Sequence, residues 1–212
     1  MTTLILLRHG FSTYNKERRY SGQHDVPLEP SGYRQAEDAA WYLTSHYTID
    51  CIWSSDLSRA VNTARPTADA LGLEIHTTPE LREVDLGNWT NRLIDEVKQE
   101  QPERFARMSS GDGYARFGNG ENYAELAGRT ELALRRIARA NNGKTVLVSA
   151  HNGTIRSLLI GWTGASMTDT RNAPSLPNAS ITVVEFEDGH FKLKLVGFDG
   201  HLCDHASETR AE

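Results

Sequence analysis

Two histidines, two arginines and one glutamate each lie just past an apolar run: Arg8 with His9, Arg59, Glu83 and His151. An imidazole acts as nucleophile or base near neutral pH, and a guanidinium offers a planar fork of donors matched to phosphate. Gly10, next to His9, lets backbone N–H groups approach an oxyanion closely. Such a set, without clustered aspartates or cysteines, is a poor metal site. Mg²⁺ prefers oxygen ligands, and a catalytic Zn²⁺ would not ordinarily sit beside two arginines. The same groups suit phosphoryl transfer. One imidazole attacks phosphorus in line, the arginines and the other histidine hold charge on the equatorial oxygens, and a carboxylic acid protonates the leaving oxygen. The attacking nitrogen is free only if its partner nitrogen is held as a donor, most simply by a backbone carbonyl in the following turn. Singly the signals are weak. Arg-His-Gly also reads as a turn with a solvated arginine, and Arg59 in the first turn of a helix calls for compensation either by bound phosphate or by a surface salt bridge.

The elements that must position these groups follow from periodicity. Leu4-Ile5-Leu6-Leu7 lacks polar alternation, as expected for a strand buried on both faces at the centre of a parallel sheet. Residues 11–32 read as a long functional loop, in which Asn15, Ser21 and Gly22 can serve a ligand or ordinary turns equally well. Pro30-Ser31-Gly32 opens a helix to residue 46, with Ser31 a plausible N-cap. Residues 50–53 form a second strand and residues 73–76 a third, with a helix carrying Arg59 between them. In the strand-like segment 81–87, Glu83 and Asp85 share a face, so both are exposed or one enters the crevice. A polar helix spans about 92–101, and residues 102–120 are the least regular part. A long helix over 123–140 leads to the strand 145–149, and Ala150-His151-Asn152-Gly153 runs directly into a helix over 154–160. Strands over 180–185 and 191–196 flank the hairpin signal Asp188-Gly189. The pattern predicts a three-layer α/β/α fold with a mainly parallel central sheet and an antiparallel hairpin at its edge. Arg8 with His9, Arg59, Glu83 and His151 then follow four separate strands and can converge at one sheet edge, where open α/β sheets place their ligands.

The totals narrow the class. At 212 residues, the chain suggests one domain over residues 1–198, with 98–120 a candidate lid insertion and 199–212 a polar tail. The formal charge of −5 and pI of about 5.9 argue against nucleic acid as a partner, so any anion site must be a local concentration of arginine. Mean hydropathy is −0.52, and no apolar stretch reaches membrane-span length. With no basic leader before the first strand, a cytoplasmic location is the expectation. Cys51 and Cys203 are too far apart in sequence to suggest a metal pair or a disulfide framework, and Cys51 reads as core. Trp41, Trp162 and the hairpin edge fit core or interface alike, leaving a homodimer open.

LLRHGFSTYN, SSDLSRAVNTA, the glutamate of LREVDLGNW, GEN and VSAHNG occur in an order that resembles the histidine phosphatase superfamily, also called phosphoglycerate-mutase-like. The resemblance covers roughly residues 4–161. It implies that His9 is the phosphorylated nucleophile, that Arg8, Arg59 and His151 form the phosphate pocket, and that Glu83 is the proton donor. Asn15 and the backbone near Asn152 would contact the phosphoryl group, and no metal or organic cofactor is implied. The chain departs from the family where Thr90-Asn91 follows Gly87-Asn88-Trp89, where Asn152 replaces a frequent glycine, and where Phe11 replaces a common glutamate or glutamine. Family mutases carry a longer insertion with adjacent arginines, whereas Arg104, Arg107 and Arg116 are scattered here. The expectation is therefore a metal-independent phosphatase acting on a small phosphomonoester, with a 2,3-bisphosphoglycerate-dependent phosphoglycerate mutase as the alternative. Arg107, Arg116 and Tyr114 either contact a second anionic group or lie on the surface.

Overall fold

The computed structural model describes residues 1–174 and 176–202, so Cys203 and most of the expected polar tail lie outside the described residues. In chain order the elements are β1 (Thr2–Arg8), α1 (Thr13–Lys16), α2 (Pro30–His46), β2 (Cys51–Ser54), α3 (Ser58–Leu71), β3 (Ile75–Thr77) and α4 (Ile94–Glu100). They continue with α5 (Pro102–Ser109), α6 (Tyr123–Ala140), β4 (Thr145–Ala150), α7 (Asn152–Trp162), β5 (Ile181–Glu187) and β6 (His190–Phe198).

The sheet order is β3-β2-β4-β1-β5-β6. β1 through β4 run parallel to their neighbours among themselves, while β5 is antiparallel to both β1 and β6. The aliphatic run at the start of the chain explains why β1 lies inside. Leu4 and Leu6 pack under α6 and α7 with Leu134, Ile137, Ile155 and Leu158, while Ile5 and Leu7 pack under α2 and α3 with Ala39, Leu43, Ala64 and Ala68. All four β1 residues are at most 1% exposed, which contributes about 2 kcal/mol for each side chain. Helices on both faces of this sheet make the expected three layers. Among the described residues no helix is long and apolar enough to cross a membrane.

Several local readings change. The N-cap of α2 is Glu29, because Pro30 takes the first helical position, where its missing N–H costs nothing; Ser31 is buried one residue further in. The loop after β1 contains α1, started by a capping box between Ser12 and Asn15. Residues 102–120 are not wholly irregular: Pro102 opens α5. Segment 81–87 pairs with no strand, since a 3-10 turn at Pro79–Leu81 bends the chain away from β3. At the hairpin, Asp188 and Gly189 have φ of 50° and 82°, the double left-handed geometry of a type I′ turn. Cys51 is a free thiol, partly buried against the α6–α7 core, and burial pushes it up from its ordinary range.

Backbones meet where the site is built. A Cβ on Gly10 would lie 2.5 Å from the Gly32 carbonyl oxygen, and one on Gly32 would lie 2.1 Å from that of Phe11. The loop leaving β1 can therefore lie on the first turn of α2 only because both positions are glycine.

Candidate active site

His9 leaves the end of β1 with its backbone fixed on three sides. Its N–H donates to the Ala150 carbonyl at 3.0 Å, and its own carbonyl accepts from Ala179 N at 3.2 Å and Asn178 Nδ2 at 3.1 Å. Ala179 holds a φ of 56° to deliver that bond. The ring is fixed as well. Nδ1 lies 2.7 Å from the Gly10 carbonyl, and since a carbonyl only accepts, Nδ1 carries the hydrogen and Nε2 keeps its lone pair.

His151 leaves β4 beside it, with ring centroids 5.2 Å apart and planes inclined by 59°. It is fully buried, and among the described residues neither ring nitrogen has a hydrogen-bond partner. Arg59 is also fully buried near the start of α3, donating to the Gly22 and His24 carbonyls at 2.8 and 2.9 Å, while its Nε has no partner among the described residues. Burial pushes Arg59 down to about 10 against the pull of Glu83 and Asp25, so it remains a cation at neutral pH. Arg8 donates Nη1 to the Leu176 carbonyl.

Both imidazoles are held well below their ordinary value. Burial dominates in each, and Arg59 and Arg8 add to it; His9 feels Arg59 ahead of Arg8, and its bond to Gly10 opposes the shift. The sign of the consequence follows. Below about pH 6.5 the unfolded chain protonates these two histidines while the folded chain does not, so their contribution is intact above that pH. Stability should fall as the pH drops toward the depressed folded values, by up to about 2.7 kcal/mol per pH unit for two protons. Urea midpoints measured between pH 7.5 and 5 check this; a flat profile would mean that the rings are not buried as neutral groups.

Glu83 enters the crevice and Asp85 does not. The Glu83 carboxylate accepts from Gly153 N at 3.0 Å and Thr154 N at 3.1 Å, in the first turn of α7, and from its neighbour Val84 N at 2.8 Å. A Cβ on Gly153 would lie 2.4 Å from Glu83 Oε1, so glycine at that position makes room for the carboxylate. Behind it Arg129 donates to the carbonyls of Glu80, Arg82 and Glu83 at 2.9 to 3.0 Å and grips Glu121 at 2.7 and 2.9 Å. Glu121 in turn accepts from Asp85 N at 2.9 Å. Arg129 thereby fixes an irregular segment that no ladder supports.

These groups meet a cavity of about 730 Å³ lined by Arg8, His9, Asn15, Ser21, Gly22, Glu83, Asn152 and Gly153. Arg59 and His151 lie behind that surface. Asn15 Oδ1 accepts from Ser12 N at 3.1 Å, and Asn152 Oδ1 is buried without a partner among the described residues. Arg104, Arg107, Tyr114 and Arg116 line a separate cavity; Arg107 pairs with Asp112 and Arg116 with Glu125. In this arrangement Arg107 and Arg116 face local carboxylates and line a cavity distinct from the one that His9 lines. Asn178 and Arg129 escaped the sequence reading. Their work is done on backbone carbonyls, which leaves no motif beyond the GEN that contains Glu121.

A fold with helices on both faces of this mixed sheet and a pocket of arginine and histidine at its strand ends defines a phosphate-handling class. The chain belongs to the histidine phosphatase superfamily, branch 1, whose family model matches residues 4–199. Phosphoserine phosphatase 1 of Hydrogenobacter thermophilus is 31% identical, with 95% of each chain covered. A probable phosphoglycerate mutase, GpmB of Yersinia pestis, is 35% identical over 89% of this chain and 86% of its own. The solved structure of YhfR from Bacillus stearothermophilus superposes with a TM-score of 0.89 at 27% identity, covering 95% of this chain and 99% of that one.

Proposed function

We propose that this protein is a metal-independent phosphatase that hydrolyses phosphomonoesters through a phosphohistidine on His9. The observation that carries the proposal is the fixed tautomer of His9: Nδ1 on the Gly10 carbonyl leaves Nε2 as a neutral nucleophile facing the cavity. The Glu83 carboxylate takes up a proton from the arriving phosphomonoester monoanion; Nε2 then attacks phosphorus, the P–O bond breaks, and the leaving oxygen takes its electron pair and that proton from Glu83. Water then attacks the phosphoryl group and gives a proton to Glu83, and the P–N bond breaks to release inorganic phosphate. Arg8, Arg59 and His151 surround the transferring group, whose negative charge the arginines neutralise. Asn15, Ser21, Gly22 and Asn152 complete the binding surface, Asn152 Oδ1 and the His151 nitrogens having unmet hydrogen-bonding capacity among the described residues. Arriving phosphate competes with the Glu83 carboxylate for the N–H groups of Gly153 and Thr154, which frees that side chain to serve the leaving oxygen.

Hydrolysis is favoured over isomerisation because the lid arginines are turned to Asp112 and Glu125 and line a different cavity. A mutase must hold a doubly anionic sugar acid while excluding water. The test is an acid-sensitive, alkali-stable label retained on the enzyme after brief reaction with a ³²P-phosphomonoester in the presence of chelator. Failure to trap label under single-turnover conditions in which product forms would reject the covalent route. Isomerisation of 3-phosphoglycerate dependent on 2,3-bisphosphoglycerate would favour the mutase instead.

A further inference from the structure

We propose that Arg18 is a specificity residue that selects phosphomonoesters whose alcohol half carries a second anionic group, an inference that rests on the phosphatase reading above. The cavity continues beyond the reacting groups along Tyr14, Tyr20, Phe117 and Tyr123, with Arg18 and Arg19 also in its lining. At about 730 Å³ it falls within the range of sites that enclose drug-sized ligands, and a three-carbon phosphorylated acid would fill a small part of it.

The two neighbouring arginines are used differently. Arg19 donates to Glu17 at 3.1 Å and to the Asn91 carbonyl, and its guanidinium lies 5.6 Å from the Tyr14 ring centroid. Arg18 makes no side-chain hydrogen bond, ion pair or ring contact among the described residues, although it borders the same cavity. Its backbone is the less expected feature. Arg18 has a φ of 54°, held there by its N–H on the Asn15 carbonyl at 3.2 Å and by Ile94 N on its own carbonyl at 3.0 Å. Glycine or asparagine would take that conformation readily, whereas arginine there costs about 1 kcal/mol. An exposed cation that the protein itself leaves without a partner among the described residues, set by a strained backbone at the edge of an anion-handling cavity, has an electrostatic use, since a carboxylate or phosphate on the substrate can exchange for its water.

The experiment compares 4-carboxyphenyl phosphate with its carboxamide isostere, and the one-carbon-longer carboxymethyl pair with its amide, on wild type and Arg18→Gln. The wild type should favour the carboxylate over the amide by about tenfold in kcat/KM for at least one length, and the difference should lie in KM. Arg18→Gln should bring that ratio close to one. A ratio unaltered by the substitution, or no wild-type preference at either length, would overturn the proposal. If the wild type hydrolyses none of these esters, the phosphatase reading itself has failed, and this inference with it.

Discussion

Turnover of any phosphomonoester by His9→Ala should fall by at least about a thousandfold, to the level of contaminating activity, because covalent catalysis loses its only nucleophile. His151 cannot substitute. Its ring centroid is 5.2 Å from that of His9, but among the described residues no carbonyl holds either of its nitrogens, so nothing fixes a nucleophilic tautomer as Gly10 does for His9. The variant should still fold, since the bonds that fix position 9 to Ala150, Asn178 and Ala179 all use main-chain atoms of His9. Circular dichroism and a retained urea transition would establish that, and ³²P labelling should be absent. Substantial turnover by a folded His9→Ala protein would refute the assignment of the nucleophile.

Arg59→Met should damage both stability and catalysis. Methionine keeps much of the side-chain length but removes the donors that hold the Gly22 and His24 carbonyls, and such orphaned buried acceptors cost about 1 to 3 kcal/mol each. Part of that loss returns, because Arg59 in the unliganded protein lowers the affinity of both His9 and His151 for protons and is itself desolvated. Activity gains no such offset: removing one preorganised cation from a phosphoryl site should lower kcat/KM by about a hundred- to a thousandfold. Inorganic phosphate gives an independent readout. At about 10 mM it should raise the wild-type melting temperature by mass action and leave Arg59→Met almost unmoved. An equal shift in both proteins would show that Arg59 does not bind the anion.

How far the sequence could be read depended on where each function resides. The unbroken aliphatic run in β1 and the Asp188-Gly189 turn were legible because burial on both faces and left-handed turn geometry each demand particular residues. The meeting of His9 with His151 could be anticipated because strand ends of a parallel sheet share one edge. The N-cap of α2 was misplaced by two residues because serine is a common cap, whereas here proline decides the start. The bend at Pro79–Leu81 that turns Glu83 inward has no periodic signature, and a short strand and an extended loop look alike in sequence. The different use of Arg18 and Arg19 was invisible for another reason: which of two adjacent arginines finds Glu17 is settled only by backbone geometry.

The hold of Asn178 and Ala179 on the His9 carbonyl, with Leu176 receiving Arg8, has a consequence for how the gene could be shortened. Every side chain assigned to the reaction lies before residue 155, yet a fragment ending there would lack the clasp that seats its own nucleophile. The segment that leads into β5 is thus no dispensable ornament on a self-sufficient N-terminal unit, and swapping or trimming it would be felt first at the opposite end of the polypeptide.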